Sequence, residues 1–335
     1  MMLVELIKDK FNSGEIELNR SLLKKMGPLL ALIFLVILAA AINPAFLRPA
    51  NLRNVLARTA FIGIIALGGT FVITAGGIDL SVGSMAAFIS GVMIVFMNWA
   101  LGTFEAGVIV ILLGMLVSVL VGFGAGVFNG LVTTKGKIEP LIVTLGSMGI
   151  FRSLITYMAD GGTLSLDFGL RAVYRPVYYG VVWGIPVPVL AFIIMIGITS
   201  ILLNFTRFGR YCKAIGSNYE VARYSAINVV KIRTMTFILQ GLCVSVATLL
   251  YVPRLGSASP TTGLMWELEA IAAVIIGGTA LKGGYGRIWG TVVGALILTM
   301  IGNILNLTGI ISPYLNQAFQ GFIIIGAVLF QRGSN

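Results

Sequence analysis

The chain of 335 residues contains no histidine. That absence removes the commonest general base and metal ligand, and with it any Ser-His-Asp hydrolase or His-based metalloenzyme. Cysteine is nearly absent as well. Cys212 lies in a basic loop and Cys243 in an apolar run, a placement unlike a metal site or a disulfide framework, so both read as small packing residues. Charged residues make up only 10% of the chain, against about 25% in soluble domains. No G-x-x-x-x-G-K-[ST] loop occurs, so ATP is not bound through that motif. If ATP energises this protein, another subunit supplies it.

What is present is apolar. Hydrophobic residues reach 58% and the mean hydropathy is +1.00, which places the protein in a membrane. Forty-two glycines against ten prolines suit closely packed helices, where small residues let backbones approach. The expected fold is all-α and polytopic, with about ten transmembrane helices, some discontinuous. Measured against the 17 to 25 residues a crossing needs, the candidates run over about 26–46, 56–75, 80–101, 105–133, 140–158, 179–205, 234–252, 268–281, 287–305 and 311–330. They form one membrane domain, 26–331, between a polar N-terminal segment, 1–25, and a short tail, 332–335. The first apolar run has no small-residue cleavage site behind it and reads as a retained anchor.

A net charge of +11 invites a nucleic-acid reading, but the basic residues flank apolar spans and form no interleaved basic-aromatic face. With the N-terminus inside, sixteen of the 23 Lys and Arg fall in inner segments and six outside, with Arg152 inside a span. The excess inside places both termini in the cytoplasm. Arg48, Arg53 and Arg58 fit least well, and a helix lying along the interface would accommodate them.

Two polar interruptions stand out. In "TAGGIDLSVGS" Gly76 and Gly77 can leave helical geometry at little cost, and Asp79 or Ser81 can cap the helix that follows. Asp79 and the freed backbone could equally border a polar pathway, and the two readings are compatible. Sliding by 201 residues sets Gly76-Gly77 on Gly277-Gly278 through the pattern G-G-x-x-L-x-x-G. Glycine-interrupted segments in corresponding parts of two halves point to a translocation pathway. Between the sixth and seventh spans, "TRFGRYCKAIGSNYEVARYSAINVVKIRT", 206–234, carries six basic residues and one acid. It either fixes topology or, with Asn218 capping a helix over 219–226 that presents Val221, Ala222 and Tyr224, docks into a partner's groove. The segment 159–178 is the longest outer loop.

These motifs, with "IEPLIVTLGSMGIFRS", "ELEAIAAVIIGGTALKGGYGRIWGTVVGALI" and "NILNLTGIISPY", resemble the membrane subunit of bacterial monosaccharide ABC importers, the ribose-type permease family, over about 51–331. The resemblance implies a homodimeric permease that docks an ATPase subunit inside and receives a sugar-loaded periplasmic binding protein outside. It implies no cofactor in this chain, with ATP and Mg held by the partner ATPase, and no catalytic or metal site. Mapped by motif, Arg207, Gly209, Arg210, Ala214, Ile215, Gly216, Asn218, Ala222 and Ile227 belong to the ATPase-coupling region. Gly76, Gly77, Asp79, Ser81, Ser84, Asn129, Gly277 and Gly278 are the pathway candidates, although Asn129 could instead serve as an interhelical hydrogen bond. Asp160, Asp167, Arg171 and Arg175 are candidate binding-protein contacts in a loop that could also be merely solvated. The chain departs from the family pattern at Ser153, Ala226, Glu269 and Lys282, which leaves the substrate open among sugars, inositol, nucleosides and branched-chain amino acids. An ion-coupled transporter acting through Asp79, Arg152 or Glu269 is the competing class.

Overall fold

The computed structural model describes residues 15–104 and 107–309, together with positions 315, 318, 321, 322 and 326. The chain is built almost wholly of helices. Helix α1, Glu15–Ile42, begins inside the segment expected to be polar and contains the apolar stretch Met26–Ile42. A 3₁₀ turn, Pro44–Leu47, leads into α2, Pro49–Thr74, with Pro49 at the first helical position, where its missing N–H costs nothing. Then come α3 (Val82–Leu101), α4 (Gly107–Lys135) and α5 (Pro140–Met158). The connection from α5 to the next long helix holds β1 (Leu164–Ser165), α6 (Phe168–Tyr174), α7 (Pro176–Tyr179) and a hairpin of β2 (Val181–Val182) with β3 (Ile185–Pro186). Helix α8, Val187–Phe205, leads to the short α9 (Arg207–Ser217) and α10 (Tyr219–Tyr224). The remainder is α11 (Val229–Leu255), β4 (Ser257–Ala258), α12 (Trp266–Ile276) and α13 (Ile288–Thr308).

Among the described residues, seven helices are long and apolar enough to cross a membrane: α2, α3, α4, α5, α8, α11 and α13. Several expected spans change. The region 268–281 holds only α12, whose 11 residues rise about 16 Å at 1.5 Å each and stop well short of the hydrocarbon thickness. The span expected from 179 starts at Val187, because 181–186 is a hairpin. Arg53 and Arg58 lie in the first turns of α2 with Arg48 as its N-cap, so no separate interfacial helix accommodates them. The last expected span, 311–330, and the tail, 332–335, lie outside the continuously described residues.

Helix α2 is the axis of the bundle, with Ile64, Ile65, Ala66, Leu67 and Phe71 fully buried. By contrast α4, α5 and α8 turn Leu112, Leu116, Leu120, Ile142, Leu145, Ile194 and Ile201 outward. Lipid tails are as apolar as leucine, so nothing drives these side chains inward. What holds helices together is close approach. Gly122, Gly126 and Gly130 recur every four residues on α4, and a β-carbon at Gly126 would lie 2.7 Å from Ile238 Cα on α11. A β-carbon at Gly130 would lie 2.9 Å from Thr234 Cα, so this stripe is the α4–α11 contact. The Ser245 hydroxyl donates across it to the Ser118 carbonyl at 2.9 Å. Elsewhere Asn51 and Asn303 exchange amide hydrogen bonds of 3.0 and 2.8 Å, joining α2 to α13.

A branched side chain at Gly126 cannot be absorbed, because its nearest neighbours are backbone atoms of α11. Gly126→Val is expected to destabilise the protein by about 1–3 kcal/mol, read as a lowered melting midpoint in detergent by fluorescence-detected size exclusion.

Candidate functional site

The first polar interruption is a helix end, a short non-helical segment and a new helix. Helix α2 closes at Ala75 with Gly76 at φ +77°. Its last carbonyls are taken by Gly76 N–H on Ile73 and Gly77 N–H on Val72, both 2.9 Å, the closure that a left-handed glycine permits. Residues 77–81 then run without helix to α3. Asp79 sets that entry: its Oδ1 accepts from the Ser81 N–H at 2.8 Å and from the Ser81 hydroxyl at 2.6 Å. Ser81 is the N-cap of α3 but makes no side-chain cap bond, since its hydroxyl is engaged by Asp79. The helix therefore starts at Val82, not Leu80.

The support comes from neighbouring helices. Asn129 on α4 donates to Ser81 Oγ at 2.9 Å, and Thr144 on α5 donates to the Ile78 carbonyl at 3.3 Å. Ser84 donates back to the Ser81 carbonyl at 2.8 Å. Asn129 is thus an interhelical hydrogen bond, one of the two roles open from sequence. Asp79 is 6% exposed and Asn129 fully buried, yet Asp79 Oδ2 and Asn129 Oδ1 have no hydrogen-bond partner. In a medium without water, such acceptors are costly. The cluster thus keeps two buried acceptor oxygens unpaired.

A second non-helical stretch meets the first. The turns at 259–265, between β4 and α12, carry Gly263 at φ +69° and Met265 at φ +68°. Gly263 lies backbone to backbone against Gly83, and a β-carbon at Gly83 would overlap both the Gly263 carbonyl oxygen and Glu267 Oε2. Arg152 holds these turns, donating to the carbonyls of Pro260 and of Thr262, the latter at 2.7 Å. Glu267, with a buried and unpartnered Oε2, is a site residue that sequence reading missed. It differs from Glu269 only by two positions in the first turn of α12, and no sequence signal separates them.

The second glycine break repeats the first, but in a register one residue away from the sequence match. Gly278, at φ +83°, stands where Gly76 stands, and the Thr279 N–H reaches back to Val274 as Gly77 reaches to Val72. The structural offset is therefore 202, and Gly277 corresponds to Ala75. The sequence match failed because Gly277 serves packing: a β-carbon there would overlap the Gly290 backbone.

Both breaks converge on the end of α9. Gly216 sits against Thr74 O and Gly284 N, which are themselves hydrogen-bonded at 2.9 Å, and any β-carbon at 216 would overlap both. Gly283, at φ +89°, brings its own face to about 3 Å from Gly216 and Gly76 Cα. Helix α9 is pinned here by Phe208 stacked on Phe71 at 5.6 Å and by buried Cys212 and Ile215. Burial pushes the Cys212 thiol up to about 12, so it stays protonated at neutral pH and acts as packing.

The coupling candidates divide by face. Gly209, Ile215 and Ala222 point into the protein, whereas Arg207, Arg210 and Asn218 are exposed and Ala214, Gly216 and Ile227 are half-buried. Asn218 caps α10 as expected, accepting from Val221 N–H at 3.0 Å. The helix ends at Tyr224, however, because Ala226 takes φ +57°, the geometry glycine prefers. Ala222 is 2% exposed and is not presented; Val221 and Tyr224, 59% and 82% exposed, are.

The segment 159–178 is folded, with Asp160, Asp167 and Arg175 exposed. Asp167 caps α6 through Gly169 N–H at 2.7 Å, and Arg171 donates to the Leu166 carbonyl at 2.8 Å. Arg175 lies 4.8 Å over the Tyr179 ring. Asp160 borders a cavity of about 480 Å³ with Arg152, Ser153, Thr156 and Tyr157. A larger cavity, about 650 Å³, lies beside α10. Gly76, Gly77, Asp79, Ser81, Ser84, Asn129, Gly277 and Gly278 line neither of the two.

Re-entrant non-helical segments inside a helical bundle, with a short helix bound to their ends, define a membrane transport subunit. The comparisons narrow the class: the profile of the branched-chain amino acid transport system / permease component family matches residues 51–328, and the chain belongs to that family. It is 40% identical over 317 residues to the ribose import permease protein RbsC of Bacillus subtilis, covering 92% of this chain and 93% of that one. To RbsC of Haemophilus influenzae it is 36% identical over 321 residues, 96% of each. To the D-allose transport system permease protein AlsC of Escherichia coli it is 34% identical over 309 residues, 92% and 91%.

Two glycine substitutions separate the junction from ordinary helix surface. Gly216→Ala, wedged between backbone atoms, is expected to lower stability by about 1–3 kcal/mol. Gly197→Ala, on the exposed face of α8 with nothing within 4 Å of the added carbon, should stay within about 1 kcal/mol of wild type. Melting midpoints of the two variants in one detergent decide it.

Proposed function

We propose that this chain is the transmembrane subunit of an ATP-binding-cassette importer that passes a monosaccharide, ribose or a close relative, into the cytoplasm. The observation that carries the reading is 40% identity across 92% of the chain to a ribose import permease. A neutral polyol needs hydroxyl partners and no charge pair, which suits the Asp79–Ser81–Asn129 cluster. A zwitterionic amino acid would need a free cation, and Arg152 is already engaged by two carbonyls.

The rest of the reading follows from it. A cognate ATPase, holding ATP and Mg, docks on the exposed side of α9 and α10 in the cytoplasm, and a periplasmic binding protein docks on 159–178. The termini lie in the cytoplasm, and the seven apolar helices, with α1 and the half-crossing α12, belong to a bundle of about ten crossings. The working unit is a homodimer. Gly146, Gly149, Ser153 and Thr156 form an exposed face along α5, and a polar face inside a span is better met by a second copy than by lipid. Closure of the ATPases moves α9, and through Gly216 both breaks, between two packings of the bundle.

Proteoliposomes containing this chain, its cognate ATPase and sugar-loaded binding protein should accumulate ribose only with ATP. Uptake driven by a proton or sodium gradient without the ATPase would overturn the reading. Tyr224→Glu, on the exposed face, should abolish uptake while leaving the permease's melting midpoint unchanged. Ala222→Glu is the poorer test, because Ala222 is buried and a carboxylate there disturbs packing first.

A further inference from the structure

The larger cavity is unexplained by transport. It lies where α4 ends, α5 and α11 begin and α10 crosses, and Thr133, Lys137, Glu139, Tyr219, Arg223 and Arg233 are among its lining residues. Three cations face one carboxylate. Arg233 is set 6.0 Å over the Tyr219 ring, and Arg223 is 3.6 Å from Glu220. Lys137 holds φ +54°, a left-handed conformation uncommon for a lysine, directly after Gly136. Both α5 and α11 present N-termini here, the positive ends of their dipoles, and Glu139 makes no side-chain cap bond at α5. A separate observation points to a ligand: Thr133 is 3% exposed, lines the cavity, and its hydroxyl has no partner.

We infer that this cavity binds the phosphate of an anionic phospholipid of the cytoplasmic leaflet, with Lys137, Arg223, Arg233 and the Thr133 hydroxyl as its donors. The leaflet assignment rests on the orientation proposed above. The source is a lipid because the cavity sits at the ends of three spanning helices, the depth at which headgroups lie, and basic pockets between helices on that side suit them. An ATPase can dock at the same time. Tyr219 and Arg223, one turn apart, face the cavity, whereas Val221 and Tyr224 project from the other side of α10.

The test uses the full chain in nanodiscs of phosphatidylcholine with a minority of phosphatidylglycerol, followed by detergent release and native mass spectrometry. Wild type should retain phosphatidylglycerol in preference to phosphatidylcholine. Lys137→Gln should weaken retention about tenfold, as expected for one charge-assisted hydrogen bond, and Lys137→Arg should restore it. The near-isosteric Thr133→Val should weaken it several-fold without a change in melting midpoint. Equal retention of both lipids, or variants that retain lipid as wild type does, would overturn the proposal. Displacement of the lipid by millimolar inorganic phosphate would assign the site to a free anion instead, and displacement by the ATPase subunit would assign it to that interface. Because no sugar, binding protein or ATP turnover enters this measurement, its failure and a failure of the transport reading are distinguishable.

Discussion

The arrangement of the breaks depends on one backbone contact, where the last turn of α9 meets the Thr74 carbonyl and the Gly284 amide with no side chain between them. Side chains can rotate to absorb a displacement; peptide groups in van der Waals contact cannot. Gly76, Gly216 and Gly283 leave room for three chain segments to cross at one point, and two of them hold φ values that glycine adopts without strain. The amphipathic α9 is then fixed on its inner face by Phe208, Cys212 and Ile215. A displacement of α9 would therefore disturb both glycine breaks.

The first break and the turns at 259–265 solve one problem by different chemistry. Non-helical peptide at membrane depth must find partners within the protein. Around 77–81 the partners are uncharged: Asn129, Thr144 and the Ser81 hydroxyl, with Asp79 closing the turn. Around 259–265 one guanidinium takes two carbonyls, and its charge has the nearby Glu267 as counterpart. The two segments touch at Gly83 and Gly263. Their meeting leaves Asp79 Oδ2, Asn129 Oδ1 and Glu267 Oε2 without donors, all in the same part of the bundle.

Much of this was legible in the sequence because membrane crossing leaves a simple mark. The runs that became α3, α4, α5 and α13 were found within a few residues, since an apolar stretch bounded by polar residues has little freedom in a bilayer. The Asn218 cap was legible too, because Asn competes for backbone amides wherever a short helix starts. What was not legible was depth. Hydropathy gives 268–281 the look of a crossing, but Gly277 and Gly278 end α12 after 11 residues, and only packing against Gly290 shows why. Nor could the pattern match find the true register of the two breaks, because the glycine needed for φ and the glycine needed for close packing are the same letter. Ala222 was placed on the wrong face for a similar reason: a six-residue helix is too short for periodicity to say which side is inward.

The two breaks are alike at their helix ends but unequal in length, and this bears on how force divides between them. Residues 75–81 join α2 to α3, whereas 277–287 join α12 to α13. The shorter link is also the one whose polar groups are tied to α4 and α5, so α3 has little slack with respect to α2. The longer link carries Gly283 and Gly284, both at positive φ, in the contact with α9 itself, and closes on itself, the Ala280 N–H donating to the Tyr285 carbonyl and the Arg287 N–H to Thr279 Oγ1, both at 3.1 Å. A displacement of α9 would therefore meet two braced links, the shorter held against α4 and α5 and the longer held across its own turn and to the Thr74 carbonyl.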